Sequence, residues 1–338
     1  FSASITAGGP RMTVFFRVWK KWGTLNRELD VNLDALSLVG AMPADVDAQD
    51  PPGAGGVSVN FAAPTYPVAG WSYTIRVDSS NDVGVTSLSL YDNGALVGSV
   101  GYDVGPLSLS HDFVWTPATA GRHKLKAIAI DASGAKAVKR VKVKVGQKGQ
   151  FITNASFESG FSSWPSGLVG HGWGAFTNGG GASFGFYDET WRPVVYDGSH
   201  SQLIEINSLG RAESDPDRYA GIYQTVVGLT PGATYRLSMY GMLRVREDDT
   251  DLEGYNYRVQ WGYLPYASGD WTAVTNWVEV PWDKIHPRLS PGAMNHYVTS
   301  FEAPSGAVTI FVRAWKKWGT VNRELDVNLD RITLRGYQ

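Results

Sequence analysis

A 22-residue stretch occurs twice in the chain. TVFFRVWKKWGTLNRELDVNLD spans positions 13–34 and TIFVRAWKKWGTVNRELDVNLD spans 309–330, an offset of 296 positions with 18 of 22 residues identical. The four changes are Val14/Ile310, Phe16/Val312, Val18/Ala314 and Leu25/Val321, all apolar for apolar. Three of them fall on alternate positions, which is the period of one face of a β-strand, so the repeat predicts a strand whose buried face has drifted. The second copy closes a long β-rich segment that starts near Phe151, whereas little precedes the first. Residues 1–40 are therefore expected to be the C-terminal strands of a truncated or complemented domain. Such strands alone would expose unpaired backbone groups and an apolar face, so upstream sequence or another copy of the chain is expected to cover them, the latter by strand complementation.

At 338 residues the chain exceeds what one core holds, since single cores stop growing near ~250 residues. The stretch 41–56, AMPADVDAQDPPGAGG, is rich in Pro, Gly and Ala without an apolar period and reads as a linker. Residues 57–146 carry short alternating runs such as WSYTIRV, HKLKAIAI and VKRVKVKV, divided by turn signals at Asp92-Asn93-Gly94 and Asp131-Ala132-Ser133-Gly134. Strands at this spacing predict an antiparallel sandwich. The stretch FVWTPATAGRHKLKAIAIDASG resembles bacterial immunoglobulin-like repeats of surface proteins, which implies a spacer without chemistry. His111 and His123 read as hydrogen-bonded structural residues, and a short break is expected at 146–150.

Residues 150–338 hold longer alternating strands, including QLIEI, TYRLSMYGMLRVR, YRVQWGY and VTIFVRAW, and predict a two-sheet jelly roll. The whole chain is thus expected to be all-β. TNASFESGFSSW, DGSHSQLIEIN and LDVNLDRITL, in that order, resemble the carbohydrate-binding jelly-roll modules attached to secreted glycoside hydrolases. That resemblance implies a structural calcium between the first and last strands, held by the carboxylates of Glu158 and Asp330 with backbone carbonyls around Ser199 and His200, because calcium takes several oxygen ligands. Asp34 stands at the place of Asp330 in the other copy.

Sugar binding needs flat aromatic platforms with polar side chains beside them for the hydroxyls. Candidates by sequence are Trp191, Tyr255, Tyr257, Trp261, Trp315 and Trp318, although aromatics of this kind also fill sandwich cores. The WKKWGT stretch reads as a hairpin tip that exposes Trp315 and Trp318, and Trp19 with Trp22 repeat it. A loop duplicated this closely is also a candidate assembly interface between copies of the chain or adjacent repeats.

A formal net charge of -2 with dispersed basic residues offers no footprint for nucleic acid. No apolar run approaches the ~20 residues of a membrane span, and no cysteine is present to staple or ligate. The sequence forms of nucleophile elbows, metalloprotease helices and phosphate loops are missing. Glu189, Glu205 and Glu279 are carboxylates that the fold has the freedom to bring together. Two functions follow as expectations: a non-catalytic repeat unit of an extracellular surface layer or fibre, with adhesive character, or a polysaccharide-binding module of a larger secreted enzyme or adhesin.

Overall fold

A computed structural model describes residues 56–103, 105–211, 217–247, 249, 256–317 and 323–338. Residues 1–40 with Trp19 and Trp22, most of the expected linker, Tyr255 and Trp318 lie outside the described residues. The described chain is all-β, with only two three-residue 3-10 turns, at Arg192–Val194 and Trp271–Ala273.

Seven strands form a first sandwich: β1 (Ser58–Phe61), β2 (Tyr73–Ser80), β3 (Val85–Asp92), β4 (Ala95–Gly101), β5 (Ser108–Trp115), β6 (Gly121–Asp131) and β7 (Lys136–Val145). They make a sheet of order β1-β2-β5 facing one of order β4-β3-β6-β7. The alternation in HKLKAIAID puts Leu125, Ala127 and Ala129 of β6 into a core with Ile75, Val77, Leu88, Leu90 and Phe113. Asn93 and Gly94 both have positive φ (50° and 91°), as the tight turn between β3 and β4 requires. Asp131 closes the next hairpin by accepting the backbone N–H groups of Ser133 and Ala135, each at 2.9 Å. Buried His123 is structural, as its context predicts: it meets Asp92 at 2.7 Å through Nδ1, and Trp115 Nε1 donates to the same carboxylate at 2.9 Å.

The second sandwich holds β8 (Lys148–Gln150), β9 (Phe161–Trp164), β10 (Gly167–Gly170), β11 (Gly174–Thr177), β12 (Ser183–Glu189), β13 (Ser201–Asn207), β14 (Arg218–Val227), β15 (Thr234–Val245), β16 (Tyr257–Leu264), β17 (Val278–Glu279), β18 (Ile285–Pro287), β19 (Asn295–Glu302), β20 (Ala307–Lys316) and β21 (Glu324–Tyr337). The larger sheet runs β18-β15-β21-β13-β12-β10-β9, with β19 also on β15 and β8 also on β21; the smaller runs β11-β14-β20-β16-β17. Each sheet is built around one strand of the C-terminal repeat copy, β20 in the smaller and β21 in the larger. The drifting positions Ile310, Val312 and Ala314 are fully buried between the sheets, where a volume change on one side chain must be absorbed by its neighbours.

The expected break at 146–150 is instead continuous structure. β8 pairs antiparallel with β21, and Gln147 and Gln338 exchange backbone hydrogen bonds at 3.1 and 3.0 Å. Close approach explains the glycines: a Cβ on Gly146 would lie 2.5 Å from the Tyr337 ring. Tyr66 packs edge-on against Tyr337 with ring centroids 5.3 Å apart, and Arg236 lies over Trp71 at 4.7 Å. The two sandwiches are thus joined through side chains as well as chain.

Candidate functional site

The motif LDVNLD of β21 alternates strictly, and its two faces have opposite fates. Leu325, Val327 and Leu329 enter the core, so Glu324, Asp326 and Asn328 point away from it. Strand register then builds one polar row across the larger sheet: His286 of β18, Arg244 of β15, Asp326 of β21, Glu205 of β13 and Gly185 of β12 stand side by side. The missing side chain at Gly185 leaves room for the Tyr187 ring, whose atoms would lie 2.4 Å from a Cβ there.

This outward face is packed with charge. Asp326 is 1% exposed, with Arg288 Nε 3.0 Å and Arg244 Nη2 3.5 Å from its Oδ2, yet neither of its oxygens meets an aligned hydrogen-bond donor. Burial pushes its carboxyl up to about 7; the two guanidinium groups oppose that shift, and Glu324 and Glu205 add to it. Burial, and then the charge of Glu324, also raises Glu205. Arg288 pairs with Glu324, and its Nη2 is 4.0 Å from Glu205. Arg244 donates to Asn328 Oδ1 at 2.9 Å and to the Arg288 carbonyl at 3.1 Å, which locks both arginines to the sheet. The carboxylate oxygens of Glu205, Glu324 and Asp326 lie within 4.8 Å of one another, a spacing that suits a cation, but the Arg288 guanidinium already bridges all three.

An open cleft of about 420 Å³ borders this face at Arg288 and Glu324 and is lined also by Arg246, Glu247 and Leu289. Two aromatic side chains border the same face: Trp191 is 38% exposed with Arg244 over its ring at 5.7 Å, and Tyr187 is 43% exposed. Fixed guanidinium donors, carboxylate acceptors and accessible ring faces are the groups that take up hydroxyl-rich ligands.

Of the aromatics expected as platforms that are among the described residues, only Trp191 lies on this face. Tyr257 is fully buried with its hydroxyl donating to Asp249 at 2.6 Å, and Trp261 is a core residue bonded through Nε1 to the Tyr297 hydroxyl at 3.0 Å. Both are inward members of β16, so neither offers a free ring face. Trp315 is not on a hairpin tip but within β20, half-buried against Tyr219, and the adjoining Lys316 is 2% exposed rather than solvated. Glu189 and Glu205 share the outward face of the larger sheet, whereas Glu279 pairs with Arg258 on the smaller one. The residues that sequence reasoning passed over are Arg244, Arg288, Glu324 and Asp326.

The calcium set takes a different form. Glu158 Oε1 accepts the backbone N–H groups of Ser199 and His200, each at 2.8 Å, and Asp330 Oδ2 accepts those of Tyr196 and Asp197, each at 2.8 Å. Arg331 N–H donates to Asp330 Oδ1 at 2.6 Å. Ser199 and His200 thus turn N–H donors, not carbonyls, toward Glu158. The carbonyl of Gly198 between these groups is taken by Arg192 Nη1 at 2.7 Å. Five amide hydrogens thus converge on the two carboxylates and stabilise their negative charge. They also do the work expected of the ion, tying loop 196–200 to the first and last segments. Burial raises Asp330 to about 6 against the pull of those amides.

No family model matches the sequence, and no curated protein is similar to it in sequence. Among solved structures, the chain overlaps a carbohydrate-binding module of the β-sandwich superfamily at 13% identity, covering 82% of this chain and 97% of that one with a TM-score of 0.32. It also overlaps a carbohydrate-binding module in complex with β-1,4-galactotriose at 15% identity, covering 55% and 97% with a TM-score of 0.32. A CARDB domain from Pyrococcus furiosus overlaps at 20% identity, covering 26% and 93% with a TM-score of 0.23. Overlap at these scores does not define a shared fold.

Proposed function

We propose that the second sandwich is a non-catalytic polysaccharide-binding module of an extracellular or cell-surface protein, held out by the first sandwich as a spacer. The observation that carries this reading is the outward row of the larger sheet, where rigid arginines and carboxylates sit beside the exposed rings of Trp191 and Tyr187. Hydrolysis of a glycosidic bond needs two carboxylates facing each other across a gap that admits the sugar. Here Arg244 and Arg288 fill the space between the carboxylates, which favours binding over cleavage. Among the described residues no helix is long and apolar enough to cross a membrane.

The test is calorimetry of the full chain against a panel of soluble oligosaccharides. Trp191→Ala and Glu205→Gln are each expected to weaken the bound sugar by about tenfold or more, roughly 1.4 kcal/mol. Binding of no member of the panel, or equal affinity in both variants, overturns the reading.

A second reading rests on the repeat itself: the chain is one period of a tandem array that forms a surface layer or fibre, with residues 1–40 completed by an adjacent copy. Deletion of residues 1–40 is expected to abolish fibres seen by electron microscopy while leaving a soluble monomer. Unchanged assembly excludes strand donation.

A further inference from the structure

The opposite face of the module, the outward side of the smaller sheet, carries a second constellation. Register places Phe176 of β11, Gly221 of β14, Arg313 of β20 and Gln260 of β16 in one row. Arg313 is 7% exposed, and its guanidinium is clamped between two rings, 3.7 Å from the Trp277 centroid and 3.9 Å from that of Tyr219. Trp271 stands at 6.0 Å and stacks on Phe176, with centroids 5.1 Å apart. Glycines make the cage possible: a Cβ on Gly221 would lie 2.5 Å from Phe176, and one on Gly262 would lie 2.7 Å from Val274 in the segment that brings in Trp277.

Among the described residues the cation in this cage has no ion-pair partner. Nε donates to Gln260 Oε1 at 2.8 Å, and among the described residues no carboxylate pairs with the guanidinium and no acceptor takes the N–H groups of Nη1 and Nη2. The side chain is not wholly enclosed and keeps a small exposed edge. Loss of water around the group lowers its pKa to about 10, with Tyr219 and Asp217 opposing the shift. Packing between two rings would be served as well by an uncharged side chain, because a buried cation with no carboxylate in ion-pair contact is costly. The repeat points the same way. Three of its four substitutions fall on the core face of β20, whereas the outward residues Thr309, Phe311, Arg313 and Trp315 recur unchanged as Thr13, Phe15, Arg17 and Trp19.

We infer that Arg313 and its aromatic cage form a second binding site, for a carboxylate-bearing sugar of the uronic acid class. A planar carboxylate matches the two outward nitrogens of a fixed guanidinium bidentately, and the half-buried rings of Trp271 and Trp277 offer a surface for the apolar side of the sugar. The site lies on the other sheet from the one proposed above and does not depend on it.

The experiment titrates the full chain with trigalacturonate and with its methyl ester, followed by tryptophan fluorescence. The free acid is expected to bind and the ester to bind at least about tenfold more weakly. Arg313→Met keeps a stacked stem without the charge, and Arg313→Lys keeps the charge without the fork; both are expected to lose about tenfold or more with unchanged circular dichroism. Trp191→Ala is expected to leave this titration as it is. Equal binding of acid and ester, no binding of the acid, a sulfated oligosaccharide that binds where the uronate does not, or full affinity in Arg313→Lys each overturn the assignment.

Discussion

Asp326→Asn is expected to make the protein more stable than the parent at pH 8 and nearly equal to it at pH 4. The parent Asp326 carboxyl, raised to about 7 by burial, binds its proton more tightly in the folded chain than in the unfolded one, where the ordinary value is 3.8. The stability that this protonated form contributes is complete below pH 4 and is lost as pH rises through about 7, because the folded state must then ionise a buried group. At 1.36 kcal/mol per unit the loss is on the order of a few kcal/mol. The asparagine cannot ionise, so its variant escapes that slope. Arg244 and Arg288 are not left without counter-charges, since Glu189, Glu205 and Glu324 remain around them. Urea unfolding at the two pH values is the measurement; the same stability difference between variant and parent at pH 4 and pH 8 would refute the account.

Asp330→Ala is expected to cost roughly 2–4 kcal/mol at pH 7, whereas a calcium chelator is expected to leave the melting temperature unchanged. The carboxylate accepts the N–H groups of Tyr196, Asp197 and Arg331, and its loss leaves three part-buried donors without their acceptor, at about 1–3 kcal/mol for each that water does not reach. The raised carboxyl of Asp330, about 6, offsets part of that cost at neutral pH. Chelation tests the alternative source of the same rigidity. A melting temperature that falls with chelator and recovers with added calcium would return the ion to Glu158 and Asp330.

Much of this architecture is legible in the alternation of the strands. Ile310, Val312 and Ala314 announce their inward face by their spacing and by their drift between the copies, and all three are fully buried. The turns at Asn93-Gly94 and Asp131 are legible because each depends on local chemistry: positive φ in one, and a side-chain oxygen that reaches nearby backbone N–H groups in the other. The aromatics are less legible. Trp261 and Trp191 look alike in sequence, yet one is 4% and the other 38% exposed, since strand parity and the covering segments decide between core and surface.

LDVNLD shows the division most clearly. By itself the sequence determined an all-β chain, and the alternation along β21 sets Leu325, Val327 and Leu329 against an outward face bearing Glu324, Asp326 and Asn328. Tertiary structure alone decided what that face became. Arg244 lies 82 residues before Asp326 and Arg288 lies 38 before it, and only sheet register brings them beside it. Arg313 follows the same rule, because its cage is closed by Tyr219 of β14 and by Trp271 and Trp277 of the connection between β16 and β17. The physical reason is that alternation is a local property of one strand, whereas desolvation and charge pairing depend on which strands become neighbours.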